Sequence, residues 1–233
     1  MSEDFFRFPH TPHLAWLGQG SPRDDKMLSP PETEALLAGE VVVEEKLDGA
    51  NLGFSQAPNG NLRVQNRGQY LVEPHVGQFA RLPAWLAQHH EALYSFLTPN
   101  IIVFGEWCAA RHTLDYEALP DWFLVFDVYD RLACRFWSSA RRNALAGSAG
   151  LVTVPRVARG RYTVASLNEL VVTGSSRYRQ GPMEGVVIRQ ESGQWCNSRA
   201  KLVRADFTQA IETHWRKRAI EWNRMDFSKG SQR

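Results

Sequence analysis

Val41-Val42-Val43-Glu44-Glu45-Lys46-Leu47-Asp48-Gly49-Ala50-Asn51 is the stretch on which the reading of this 233-residue chain turns. The run from Val41 to Glu45 is short, β-branched and bounded upstream by Gly39, which makes it a strand rather than a helix. Lys46 ends that strand and is followed at once by a carboxylate and a glycine, with an amide close behind. Such a placement suits an amine that attacks a phosphate. An ordinary lysine has a pKa near 10.4, so acting as a nucleophile at neutral pH requires a depression of roughly two to three pH units, about 3 to 4 kcal/mol. Burial at a strand end, neighbouring cations and a bound metal would together supply it. Gly49 lets the backbone approach a ligand closely or take a positive φ. Taken alone, the same residues also describe an exposed strand-end lysine followed by an Asp-Gly turn, and the rest of the chain has to decide.

Length and composition are those of a globular protein with one large core or two small ones. No stretch approaches the roughly 20 apolar residues of a membrane span, and the polar start Met1-Ser2-Glu3-Asp4 is unlike a signal peptide, so a cytoplasmic location without membrane contact is expected. Three cysteines, Cys108, Cys134 and Cys196, stand far apart with no paired histidines, which predicts free thiols, mostly in strands. The formal charge is only +2, so nucleic-acid binding would have to come from local clusters. Arg141-Arg142, Arg177-Tyr178-Arg179 and Arg216-Lys217-Arg218 are candidates, each of which also reads as a solvated face.

Mixed elements alternate without a repeat. Leu52 to Gln56 and Leu62 to Gln65 form a hairpin through Pro58-Asn59-Gly60-Asn61, where Asn-Gly is a strong turn signal. A helical region carrying Phe79, Leu82, Trp85, Leu86, Leu93 and Phe96 is interrupted by Pro83. Ile101 to Cys108 and Trp122 to Tyr129 are the central strands. Ser138 or Ser139 caps a helix through Ala146, and Ser166 to Glu169 has capping-box spacing. Glu184 to Gln190 and Gln194 to Val203 make a strand pair turning near Ser192-Gly193, and a helix from about Asp206 to Trp222 carries Ile211, Trp215 and Trp222 on one stripe, with Arg216, Lys217 and Arg224 off it.

Six segments stand in order: Lys46-Leu47-Asp48-Gly49-Ala50-Asn51, Asn66-Arg67-Gly68, Phe104-Gly105-Glu106-Trp107, Phe123-Leu124-Val125-Phe126-Asp127-Val128, Glu184-Gly185-Val186-Val187-Ile188-Arg189 and Lys201-Leu202-Val203-Arg204. The set resembles the covalent nucleotidyltransferase superfamily of ATP-dependent ligases and capping enzymes, most closely the RNA ligases that seal nicks in duplex RNA. The resemblance spans roughly residues 41 to 204. It implies an α+β fold: a single nucleotidyltransferase domain, ATP-grasp-like, of antiparallel sheets flanked by helices, with no OB-fold domain. Residues 1–40 are an N-terminal extension and helix, 41–204 carry the motifs, and 205–233 are a C-terminal helix and tail.

The implied chemistry is attack of neutral Lys46 on the α-phosphorus of ATP, giving lysyl-AMP and pyrophosphate. Charge builds on phosphate oxygens, so cations and Mg2+ (or Mn2+) must already surround them. The resemblance places Lys201 at the α-phosphate and Glu184 beside the metal or its waters, with Asp48 and Asn51 holding further metal-bound waters. It stacks Phe126 on adenine, gives Glu106 the ribose, and sets Arg67 on a phosphate of AMP or the acceptor strand. Phe126 is alternatively a core aromatic, Glu184 a strand-start charge, Arg67 an exposed turn residue. An isolated carboxylate such as Glu106 inside the run Ile101 to Cys108 is costly to bury without a partner. Lys26 precedes the nucleophile strand and either approaches the triphosphate or is merely solvated. Many relatives carry two lysines separated by one residue in the last motif. Here Arg204 follows Lys201 by three, so either Arg204 or Arg199 supplies the second charge.

Only about thirty residues follow Arg204, too few for an OB-fold, which favours an RNA ligase over a DNA ligase or capping enzyme. The expectation is an ATP-dependent RNA ligase for RNA repair, joining 3′-hydroxyl and 5′-phosphate ends of nicked or broken duplex or structured RNA. An end-healing kinase or phosphatase is a partner by analogy. A minimal DNA-nick ligase, another protein adenylyltransferase, and a catalytically silent nucleic-acid-binding module are the alternatives.

Overall fold

In the computed structural model, which describes residues 5–18, 26–210 and 219–226, the β-branched run becomes strand β1 (Val41–Lys46), buried along its whole length except at Lys46. A strand covered on both faces needs a layer on each side. The Asn-Gly hairpin joins β2 (Ala50–Gln56) to β3 (Leu62–Gln65), with Gly60 at a φ of 86° that L side chains rarely adopt. The two apolar runs become β4 (Ile101–Trp107) and β5 (Phe123–Asp130). Then follow β6 (Arg135–Trp137), β7 (Val152–Thr153), β8 (Arg156–Gly160), β9 (Gly185–Ser192) and β10 (Trp195–Val203). The β9–β10 turn passes through Gly193 at a φ of 56°.

These strands form one ten-stranded sheet in the order β3-β2-β4-β5-β6-β10-β9-β1-β8, with β7 parallel to β5 and every other pairing antiparallel. The expected separate sheets are thus continuous, and the described residues include no OB barrel. β1 and β2 are consecutive in sequence yet stand near opposite ends of that order. Only Leu47, Asp48 and Gly49 link them. Even fully extended, the chain from Lys46 to Ala50 covers at most about 14 Å. The sheet therefore has to curl until its two ends meet, and the Lys46 segment sits at the closure.

Helix α1 (Pro30–Leu37) starts at Ser29 with Glu32 completing a capping box. In α2 (Leu82–Phe96), Pro83 lies in the first turn and starts the helix rather than interrupting it, since a first-turn N–H has no helical partner to lose. Ser138 caps α3 (Ser139–Ser148), which runs two residues beyond Ala146. The box of α4 (Val164–Thr173) is Thr163 with Ser166, one turn earlier than the Ser166–Glu169 spacing suggests. Helix α5 covers Ala205–Ala210. The expected helix does not reach Trp222, which pairs in an isolated antiparallel bridge with Ala110, and Ile211, Trp215 and the Arg216-Lys217-Arg218 cluster lie outside the described residues. Of the three free cysteines only Cys196 lies in a strand; Cys108 follows β4 and Cys134 sits in the β5–β6 turn.

One core packs α2 and α3 on the β2–β5 half around Leu52, Phe54, Trp85 and Phe123. A second packs α1 and α4 on β1, β9 and β10 around Leu36, Val43, Leu167 and Ile188. Between the halves runs the N-terminal segment, where Phe8 joins Ile102 and Phe104 in a small aromatic core. No helix of the described residues is long and apolar enough to cross a membrane.

Candidate active site

A cavity of about 570 Å³ opens where the sheet closes, within the range of small-molecule sites. Lys46 lines it, 27% exposed, with Nζ 2.5 Å from Glu184 Oε1. Register places them together, because Lys46 pairs with Gly185 across β1 and β9. A Cβ on Gly185 would stand 2.2 Å from Leu202 O, so only glycine fits there. Burial depresses the Lys46 amine, but the Glu184, Glu106 and Asp48 carboxylates outweigh it and hold its pKa above the ordinary value. These anions oppose the depression that a nucleophilic amine requires, while burial works toward it. Burial, against the pull of Lys46, pushes Glu184 up to about 8 and Glu106 up to about 7.

Asp48 turns away from the cavity wall. Its Oδ2 accepts from Thr113 N and Leu114 N at 2.7 and 2.8 Å, and its own N–H donates to Tyr116 OH at 2.8 Å. It therefore ties the nucleophile turn to the loop after β4. Gly49 keeps a negative φ; its requirement is space, since a Cβ would stand 2.5 Å from Trp107 O. Gly49 N also donates to Glu106 Oε1 at 3.0 Å, which gives the carboxylate inside β4 the partner its burial demands.

Phe126 lines the cavity half-buried, neither wholly core nor wholly free, with Phe8 edge-on at 5.3 Å between centroids. Behind it lies a buried ion network. Arg142 is 0% exposed and pairs through both guanidinium nitrogens with Glu44, while its Nη1 donates to Phe126 O. Arg189 pairs with Asp127 at 2.9 Å and with Glu191 at 2.9 Å. The solvated reading of Arg142 is thereby corrected: the α3 face that carries it is turned to β5, and the guanidinium finds its carboxylate inside.

Lys201 lines the cavity from β10, two strands across from β1, its backbone pinned by Pro12 and Leu14 of the N-terminal segment. Arg199 joins it there, 3.1 Å from Asp127 and over the rings of Phe136 and Phe8. Arg204 is not brought to the cavity. Its guanidinium donates to Val171 O and Val172 O at the end of α4 and pairs with Asp206 at 3.0 Å, as a basic group favours a helix C-terminus. Arg67 is on the rim in an exposed turn, and Lys26 is 69% exposed on Glu32 at the start of α1. Sequence reasoning missed Phe8, His10 and Thr11, which complete the wall; the alternation Phe6, Phe8 was the available signal.

The acceptors suit a hard cation. Asn51 Oδ1 on the wall and Glu184 Oε2 behind it are buried with no hydrogen-bond partner. No group of three or more His, Cys, Asp or Glu side chains among the described residues could hold a metal ion. Magnesium keeps most of its waters and takes phosphate oxygens, so one or two such acceptors are what it uses. Asn51 and Glu184 fit that role, whereas Asp48 has one oxygen already committed to two amides.

The profile of the family described as RNA ligase matches residues 39–203. Among solved structures, the chain is similar to Naegleria gruberi RNA ligase with pyrophosphate, at a TM-score of 0.64 and 20% identity over 78% of this chain and 54% of that one. A lysine-to-alanine variant of that ligase with ATP and manganese gives a TM-score of 0.63 at 18% identity, over 86% and 63% respectively. A glutamate-to-alanine variant with ATP and manganese gives 0.60 at 18%, over 77% and 54%. The chain thus spans between 54% and 63% of the length of these three structures, and the likeness is one of fold. No curated protein matches the chain.

Proposed function

The chain belongs to the RNA ligase family, and from that we propose that it is an ATP-dependent RNA ligase working through a lysyl-AMP intermediate on Lys46. The carrying observation is Lys46 Nζ, 2.5 Å from Glu184, on the wall of a cavity that also presents Phe126, Glu106, Arg199 and Lys201. In this reading the whole chain acts as one adenylyltransferase domain, in the cytoplasm, on 3′-hydroxyl and 5′-phosphate ends of duplex or structured RNA. A kinase or phosphatase heals the ends before it acts.

Lys46 loses a proton and its nitrogen bonds to the α-phosphorus as the bond to pyrophosphate breaks. Glu184 Oε1, the acceptor nearest Nζ, takes that proton and leaves Oε2 for a cation. Lys201 and Arg199 face the phosphate oxygens as charge develops on them. Phe126 offers its ring to adenine, Phe8 backs that ring, and Glu106 accepts from a ribose hydroxyl. Asn51 and Glu184 would hold a divalent cation, which supplies positive charge at the phosphates when bound. An oxygen of the RNA 5′-phosphate then displaces Lys46 from AMP, and the 3′-hydroxyl displaces AMP to form the phosphodiester. Arg67 on the rim meets the acceptor strand.

Incubation with α-labelled ATP and magnesium should give an acid-stable labelled protein that Lys46→Ala does not form. Chasing it with nicked duplexes of RNA or DNA strands should seal those whose nicked strand is RNA. Absence of the adduct leaves a silent nucleic-acid-binding module. Sealing of DNA strands alone makes it a DNA-nick ligase, and an adduct that discharges to neither makes it an adenylyltransferase for another acceptor.

A further inference from the structure

Residues 219–226 return to the end of β4 and lie against the loop that holds Asp48. Asn223 N donates to Ala109 O at 3.0 Å, Arg224 N to Tyr116 O at 2.9 Å, and Arg111 N to Glu221 O at 2.8 Å. The Asn223 side chain is 2% exposed, and both of its polar atoms are used. Nδ2 donates to Cys108 O at 2.8 Å and Oδ1 accepts from Tyr116 N at 2.9 Å. Tyr116, fully buried, accepts at its hydroxyl from Asp48 N at 2.8 Å, two residues beyond Lys46. Thr113 and Leu114 close the loop on Asp48 Oδ2.

A segment laid on the surface needs only backbone pairing, and these residues have that already. A buried amide with every polar atom matched specifies one position of the loop instead of several. Resting on the proposed function, we infer that Asn223 is a positioning residue for the nucleophile: through Tyr116 it sets the place of Asp48 N and so the turn that aims Lys46. Neither Asn223 nor Tyr116 lines the cavity, so both act on the transfer step rather than on nucleotide affinity.

The test uses the full chain with Tyr116→Phe, Asn223→Ala and the double variant, each confirmed folded by its melting curve. Single-turnover formation of labelled lysyl-AMP is measured against ATP concentration. Each single variant should be at least fivefold slower at saturating ATP, with half-saturation within threefold of wild type. The double variant should be no more than twofold slower than the slower single, because the two groups act in one series. A loss under fivefold in Tyr116→Phe, which removes one hydroxyl, overturns the inference even if Asn223→Ala does not fold. Losses that multiply in the double variant, or that fall on half-saturation instead of rate, also overturn it. A wild type that forms no adduct defeats the proposed function itself, a different and separable result.

Discussion

Three carboxylates lie around the Lys46 amine, and their charge favours its protonated form. Glu106 shows the consequence most simply. Burial, eased by nearby Lys46, raises its pKa from 4.5 to about 7, so its contribution to stability is full below pH 4.5 and is lost as pH climbs through 7. The loss amounts to about 3 kcal/mol at most. Glu106→Gln cannot ionise and still accepts from Gly49, so between pH 5 and 8 its melting temperature without nucleotide should fall less than that of wild type. The two arginines left open by the last motif separate by position. Arg199→Ala should slow lysyl-AMP formation more than tenfold, while Arg204→Ala should stay within twofold and cost about 1 kcal/mol in urea unfolding. The lysines and carboxylates stand where the motifs put them; which arginine turned inward was not read, although Arg199 lies in β10 two residues before Lys201, on the same strand face, and Arg204 lies past the strand end.

Elements were legible where one period dominated. The strands β1, β2, β4 and β5 lie within a residue or two of their expected ends, since β-branched and aromatic runs on a doubly covered sheet leave few alternatives. Helix starts were less so: Thr163 wins over Ser166 as the cap because its hydroxyl accepts from Ser166 N while the Ser166 side chain returns the bond. Trp222 was misplaced on the C-terminal helix because it is held by Ala110 far back in the chain, which no local periodicity records. The turn between β1 and β2 is the element where space decides. Gly49→Ala would drive a methyl into Trp107 O and should cost about 1 to 3 kcal/mol by overpacking, with lysyl-AMP formation falling more than tenfold. Thermal melts and the labelled-adduct assay check both.

Across the molecule, the ion network behind Phe126 joins residues from β1, α3, β5, β9 and β10, so it ties the two halves of the sheet through charge. Removing one partner of a buried pair leaves the other unmatched. Arg142→Ala should therefore cost about 3 to 5 kcal/mol, and the double change of Arg142→Met with Glu44→Leu distinctly less, by urea titration. Composition could not disclose this, because a modest net charge says nothing of which ions are inside.

The three-residue link between strands near opposite ends of the sheet also sets an order of assembly. Glu184 follows Lys46 by more than half of the chain, so until β9 pairs with β1 the lysine has neither its ion-pair partner nor a closed cavity. On the proposed function, a half-made chain would therefore leave nucleotide untouched until β9 is in place.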